Sequence, residues 1–126
     1  MSKPPDHQIA KKKRAQKRGR WAEYVVRLKL RATGHRILRA NYKTKVGEID
    51  IIYKKQNRIG FVEVKARKTV DAASEAVTPR QRIRIERAAQ QFMAQSIQLE
   101  SCDMQFDVAC VTGPLSIHML YDAWRP

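Results

Sequence analysis

From Val46 to Arg67 the chain alternates apolar and polar positions, V-G-E-I-D-I-I-Y-K-K-Q-N-R-I-G-F-V-E-V-K-A-R. Period-two alternation on both sides of a short polar stretch, Lys54 to Arg58, predicts two strands and a tight turn. On the first strand Ile49, Ile51 and Tyr53 are expected on one face, with Glu48, Asp50 and Ile52 on the other. On the second, Val62, Val64 and Ala66 oppose Phe61, Glu63, Lys65 and Arg67. Upstream the period changes to that of a helix. From about Lys17 to Ala32, Trp21, Val25, Leu28 and Ala32 form an apolar stripe, and Gly34 supplies a stop. His35 to about Lys43 reads as a first strand, with His35 expected at the surface. Lys68 to Val77 has no clean period and is expected to be a loop, a candidate flap over a bound strand.

A second helix is predicted to open at Thr78, a good N-cap, with Pro79 in its first position. Ile85, Ala88, Ala89, Phe92 and Met93 form its apolar stripe. Met104 to Val111 and Leu115 to Tyr121 then read as two strands around a T-G-P turn. Asp107 falls on the opposite face from Phe106, where a structural acid bonded to backbone or to a basic side chain is expected. The order α-β-β-β-α-β-β predicts one α/β domain over residues 17–126, a mixed sheet flanked by helices. Residues 1–16 hold two adjacent prolines, few apolar side chains and a K-K-K-R run. They are expected to be a disordered basic arm, either a nucleic-acid arm or a solvated tail.

Charge changes the picture. The net charge of +14 is concentrated at one end: residues 1–45 carry 15 Lys/Arg against 2 Asp/Glu, and residues 46–126 carry 11 against 10. Such a field draws polyanions. No apolar run approaches membrane-spanning length, no secretory signal is visible, and Cys102 and Cys110 fit neither a metal knuckle nor a disulfide framework. A cytoplasmic protein with no membrane partner is the expectation.

The hairpin supplies the chemistry. If its strands pair antiparallel, Asp50 and the Glu63/Lys65 pair lie on one surface. Carboxylates held in an apolar sheet are poorly solvated and repel one another unless something neutralises them. A hard divalent cation does so, since Mg²⁺ takes oxygen ligands and needs only one or two carboxylates plus substrate phosphate. A lysine two residues after Glu63 is placed to orient water or to stabilise charge on a phosphate. The plainer alternative is an amphipathic hairpin with a solvated polar face. Glu23, the only acid of the first helix, is either a helical partner of Arg27 or a further acid of the site. Gln81, in the first turn of the second helix, either faces solvent or reaches a ligand.

The run G-E-I-D-I-I, a short hairpin and F-V-E-V-K-A-R resembles the YraN-like family, a branch of the PD-(D/E)xK nuclease superfamily that looks like Holliday junction resolvases. The resemblance covers roughly residues 19–112 and implies a restriction-endonuclease-like fold. Glu23 matches the acid of the first helix, Asp50 the metal-binding acid of G-E-I-D, and Glu63 and Lys65 the E-x-K pair. Gln81 matches the glutamine that opens the second helix, and Asp107 the acid of an R-F-D segment. Ala22, Arg80 and Gln105 depart from the family's usual glycine, lysine and arginine.

The resemblance implies a metal-dependent nuclease acting on DNA, branched or structured DNA in repair or recombination among its substrates. Asp50 and Glu63 would bind Mg²⁺ (or Mn²⁺), with Glu23 assisting, and Glu23, Asp50, Glu63, Lys65 and Gln81 would form the catalytic set. Lys11, Lys12, Lys13, Arg14, Lys17, Arg18, Arg20 and Arg67 are the candidate nucleic-acid contacts. A homodimer is expected by analogy with resolvases. The alternatives are a catalytically silent nucleic-acid-binding protein, or a DNA-processing adaptor, on the same fold.

Overall fold

The computed structural model describes the backbone of residues 6–126, and the side chains from Gly19 onward. The first helix, α1, spans Asp6–Ala32 and so starts well before the expected Lys17. Residues 6–16 of the expected arm lie within its span, and residues 1–5 lie outside the described residues. The alanines, lysines, arginines and glutamines of that stretch have good helix propensity, although no apolar stripe marks it. The strands are β1 (Arg36–Lys43), β2 (Glu48–Lys55), β3 (Arg58–Ala66), β4 (Asp103–Val111) and β5 (Ile117–Trp124). They form one sheet in the order β1-β2-β3-β4-β5, antiparallel except for β3–β4. A parallel pair needs a crossover, which here carries α2 (Val70–Glu75) and α3 (Pro79–Met93). The mixed α/β domain expected from the sequence is the one observed.

Each face of the sheet has its own core. On one side Ala22, Val26 and Leu30 of α1 pack on Ile51, Tyr53, Val62, Ala109 and Val111. On the other, Ala73 of α2 and Ile85, Ala88, Ala89 and Phe92 of α3 pack on Ile49, Ile52, Ile59, Phe61, Phe106 and Val108. The sequence stripe of α1 is therefore only partly the buried one: Val25 is buried as expected, but the contact with the sheet is rotated from its expected place. Residues four apart, starting from the small Ala22, meet the sheet, while Trp21 and Leu28 are left half-exposed. The indole of Trp21 instead reaches the β4–β5 turn, where Nε1 donates to the Pro114 carbonyl at 2.8 Å.

Three further expectations are corrected. Val70–Glu75 is a helix and not a loop, because the Thr69 hydroxyl accepts the Ala72 amide and caps its first turn. His35 is buried and not at the surface. Gly34 ends α1 at φ 87°, the Gly34 amide bonds the Arg31 carbonyl, and the His35 amide bonds the Leu30 carbonyl. This double closure folds the residue after the glycine back onto the helix, where its ring packs edge-on against Tyr53. Ile49 does not share a face with Ile51; it joins the core beneath α3. Strict alternation fails there because β2 leaves the β3 ladder beyond Ile51.

Two close approaches fix the position of β2. A Cβ on Gly47 would lie 2.2 Å from the Arg84 carbonyl oxygen, so the β1–β2 turn touches α3 backbone to backbone. Thr44 holds that turn, its hydroxyl donating to the Gly47 carbonyl at 2.7 Å. A Cβ on Gly60 would lie 1.9 Å from the Tyr53 ring, which covers the glycine across the β2–β3 pair. Among the described residues no helix is long and apolar enough to cross a membrane.

Candidate metal centre

The β2–β3 ladder runs from Lys55/Arg58 to Ile51/Val62 and stops. The next opposed residues would be Asp50 and Glu63. Both therefore sit at the fork where the two strands part, on the face covered by α3. Where a ladder bond would continue, the Asp50 carboxylate takes over: its Oδ2 accepts the Val64 amide at 2.8 Å. Glu63 is buried. Its Oε1 accepts a hydrogen bond from Gln81 Nε2 at 3.0 Å and lies 3.6 Å from Lys65 Nζ. Gln81 is held in turn by the Thr78 cap, whose hydroxyl accepts the Gln81 amide at 3.1 Å. The threonine that starts α3 thus places the amide that orients Glu63.

Glu23 approaches from the other layer. It is half-buried on α1, and its carboxyl meets the Asp50 carboxyl and the Asn41 side chain. Asn41 stands at φ 53°, a backbone state in which asparagine is enriched. Arg27 also faces Glu23, so the helical-partner role and the site role coexist in one side chain.

The electrostatics are those of acids without enough counter-charge. Glu63 is raised to about 8, by burial first and then by the Asp50 charge, against the opposing pull of Lys65. Burial and Asp50 likewise raise Glu23 to about 7. Asp50 is raised by burial despite the Val64 amide and Lys65.

Asp50, Glu63, Gln81, Arg84 and Ile85 line a cavity of about 160 Å³, and Glu48 completes its wall. Among the described residues no three His, Cys, Asp or Glu side chains stand in a metal-holding group as placed. The acids meet in pairs, Glu23 with Asp50 and Asp50 with Glu63. The carboxylates of Asp50 and Glu63, with Glu48 in the wall of the same small polar cavity, nevertheless suit Mg²⁺, which keeps several waters and takes one or two protein carboxylates. Glu48 is the wall residue that the sequence reading left out of the site. Its signal was its place two residues before Asp50 on the same expected face.

Of the other candidates, Arg20 and Arg67 are exposed. Arg67 follows the end of β3. The side chains of Lys11, Lys12, Lys13, Arg14, Lys17 and Arg18 lie outside the described residues. Asp107 is elsewhere, fully buried on the α1 side of the sheet. It accepts Tyr53 Oη at 2.5 Å, Gln105 Nε2 at 2.8 Å and the Asp122 amide at 2.9 Å. It is a structural acid, as its sequence position suggested.

The model of the uncharacterised protein family UPF0102 matches residues 22–111 of the chain. That span holds Glu23, Asp50, Glu63, Lys65 and Gln81. The UPF0102 protein amb4503 of Paramagnetospirillum magneticum is 42% identical over 115 residues, covering 88% of this chain and 89% of its own. A UPF0102 protein of Parvibaculum lavamentivorans is 40% identical over 105 residues, 83% of this chain and 79% of its own. The UPF0102 protein Mmar10_3014 of Maricaulis maris is 38% identical over 115 residues, 91% of each chain.

Proposed function

The chain belongs to the uncharacterised protein family UPF0102, and on that premise we propose that it is a metal-dependent nuclease of the PD-(D/E)xK kind. Its reaction would be hydrolysis of phosphodiester bonds in DNA, branched or structured DNA included. One observation carries the reading: Asp50 and Glu63 oppose each other at the end of the ladder, with Lys65 Nζ 3.6 Å from Glu63. A carboxylate pair buried without enough counter-charge costs stability. A site that collects both a metal and a polyanion gives that cost a use.

Asp50 and Glu63 would hold Mg²⁺ (or Mn²⁺), with Glu23 supporting Asp50 from α1. When bound, the metal would polarise the scissile phosphate and acidify a water. Gln81 fixes the rotamer of Glu63 through the 3.0 Å hydrogen bond. Lys65 presents its ammonium beside Glu63, positioned to orient the attacking water and to stabilise the charge gathering on the phosphate. Arg20, Arg67 and the basic N-terminal third would hold the flanking strands through phosphate contacts, and so make binding salt-dependent.

The test is cleavage of junction, flap, single-stranded and duplex DNA in Mg²⁺ or Mn²⁺ by wild type, Asp50→Ala, Glu63→Ala and Lys65→Ala. Calorimetric metal titration of the same proteins accompanies it. Cleavage by wild type that is lost in all three variants, with metal binding lost in the two carboxylate variants, is the expected result. Salt-dependent binding without cleavage in either metal would leave a silent binding protein. Equal cleavage by all four proteins would remove the site.

A further inference from the structure

Beside the acid cluster lies a second, larger concavity that the cleavage chemistry does not use. It has a volume of about 830 Å³ and runs between α1, the end of β3 and the β4–β5 turn. Its walls are chiefly apolar, with Trp21 on one side and Pro114 on another. Lys65, Arg67 and Lys68 enter from β3 and the residues after it, and among the described residues no lining residue is acidic. Trp21 is 48% exposed and tilted against Tyr24 at 6.0 Å between ring centroids. Its N–H is already committed to the Pro114 carbonyl at 2.8 Å, which pins the ring while leaving part of its face uncovered. Lys65 belongs to both places, lining the groove and pairing with Glu63.

We infer that this groove seats unpaired nucleotides next to the phosphate cut at the acid cluster, so that the substrate is nucleic acid with a single-stranded segment. Three cations without an acid match a phosphate backbone. Apolar walls and a fixed, uncovered indole match the faces of bases. Bases in a duplex are stacked on one another and cannot present those faces, so a paired strand would leave the aromatic wall unused. Continuity through Lys65 gives the direction: a strand crossing the groove reaches Glu63 without a break. This inference rests on the nuclease reading for the location of the scissile phosphate, but the groove can be tested apart from it.

Binding is measured in chelator, where no metal-dependent cleavage occurs, with labelled oligo-dT, oligo-rU and a blunt DNA duplex of equal length. Tryptophan fluorescence is followed in parallel. The chain has two tryptophans, and Trp124 is buried against Phe106, so quenching by stacked bases reports on Trp21. Both single strands should quench wild type, and the duplex should not. Trp21→Phe should keep the affinity and lose the quenching. Trp21→Ala should weaken single-strand binding roughly five- to a hundredfold with the melting curve still cooperative, and Arg67→Ala with Lys68→Ala should lower its salt dependence. Equal quenching by duplex, no quenching by either strand, or unchanged single-strand affinity in Trp21→Ala would overturn the inference. So would quenching that appears with protein concentration alone, which would assign the groove to a second copy of the chain. None of these outcomes depends on cleavage, so loss of the nuclease reading and loss of the groove are separable.

Discussion

Two buried carboxylate sites share this sheet and behave as opposites. Asp107 is fully buried and receives three neutral donors: the Tyr53 hydroxyl, the Gln105 amide and the Asp122 backbone amide. Burial pushes its carboxyl up and those bonds pull it down. At the fork, Asp50 faces Glu63 on one side and Glu23 on the other, and each carboxyl of Glu23 and Glu63 is pushed up further by Asp50. The donors there are fewer, the Val64 amide for Asp50 and Gln81 with Lys65 for Glu63. Burial alone does not mark a functional acid, since both sites have it. What separates them is whether the protein itself supplies enough partners.

The strongest way to break that comparison is to neutralise one acid at each site. Asp50→Asn keeps an oxygen for the Val64 amide and removes the charge. Cleavage should fall on the order of a thousandfold, while the metal-free protein at pH 8 melts no lower than wild type. Asp107→Ala should do the reverse, costing ~2–5 kcal/mol of stability in a denaturant titration and leaving cleavage per folded molecule nearly unchanged.

A pH series sharpens the contrast. Glu23 and Glu63 titrate near 7 and 8 in the folded protein against 4.5 for a free glutamate. The folded form thus keeps protons that the unfolded chain releases. The resulting stability is full below the unfolded value and is lost as pH rises through 7 to 8. Melting of metal-free protein should therefore fall by several degrees from pH 5 to 8, Asp50→Asn should flatten most of that fall, and Mg²⁺ should restore wild type at pH 8 more than at pH 5. Gln81→Ala should reduce cleavage ~10-fold by freeing Glu63, with the melting temperature almost unmoved. The smallest effect belongs to Tyr53→Phe, about 1 kcal/mol of stability for the lost bond to Asp107 and none on cleavage.

Much of the fork could be read from the sequence because alternation is a backbone property. Two runs of period two, separated by a tight turn, bring Asp50 opposite Glu63 whatever surrounds them. Thr78 and Pro79 marked the start of α3, and with it the place of Gln81. What escaped depends on interactions between distant parts of the chain. His35 is buried because a helix end folds back. Trp124 enters the core because it stacks 5.2 Å from Phe106, and β5 extends past Tyr121 to deliver it. Trp21 and Leu28 read as core because they share a helical stripe, yet the sheet is met by Ala22, Val26 and Leu30. Glu48 joined the cavity only once α3 had closed over the fork.

The parallel pairing of β3 with β4 has a consequence for how the molecule is made. Every strand pairs with its neighbour in sequence, but the second edge of β3 must wait until the crossover has been synthesised and Asp103–Val111 arrives beside Arg58–Ala66. During translation the acids and Lys65 emerge early, on a ribbon whose outer edge, Ile59, Phe61 and Val62, has nothing to pair with. Nascent chains arrested before residue 103 should therefore clump or recruit a chaperone, and release of β4 from the ribosome should end both.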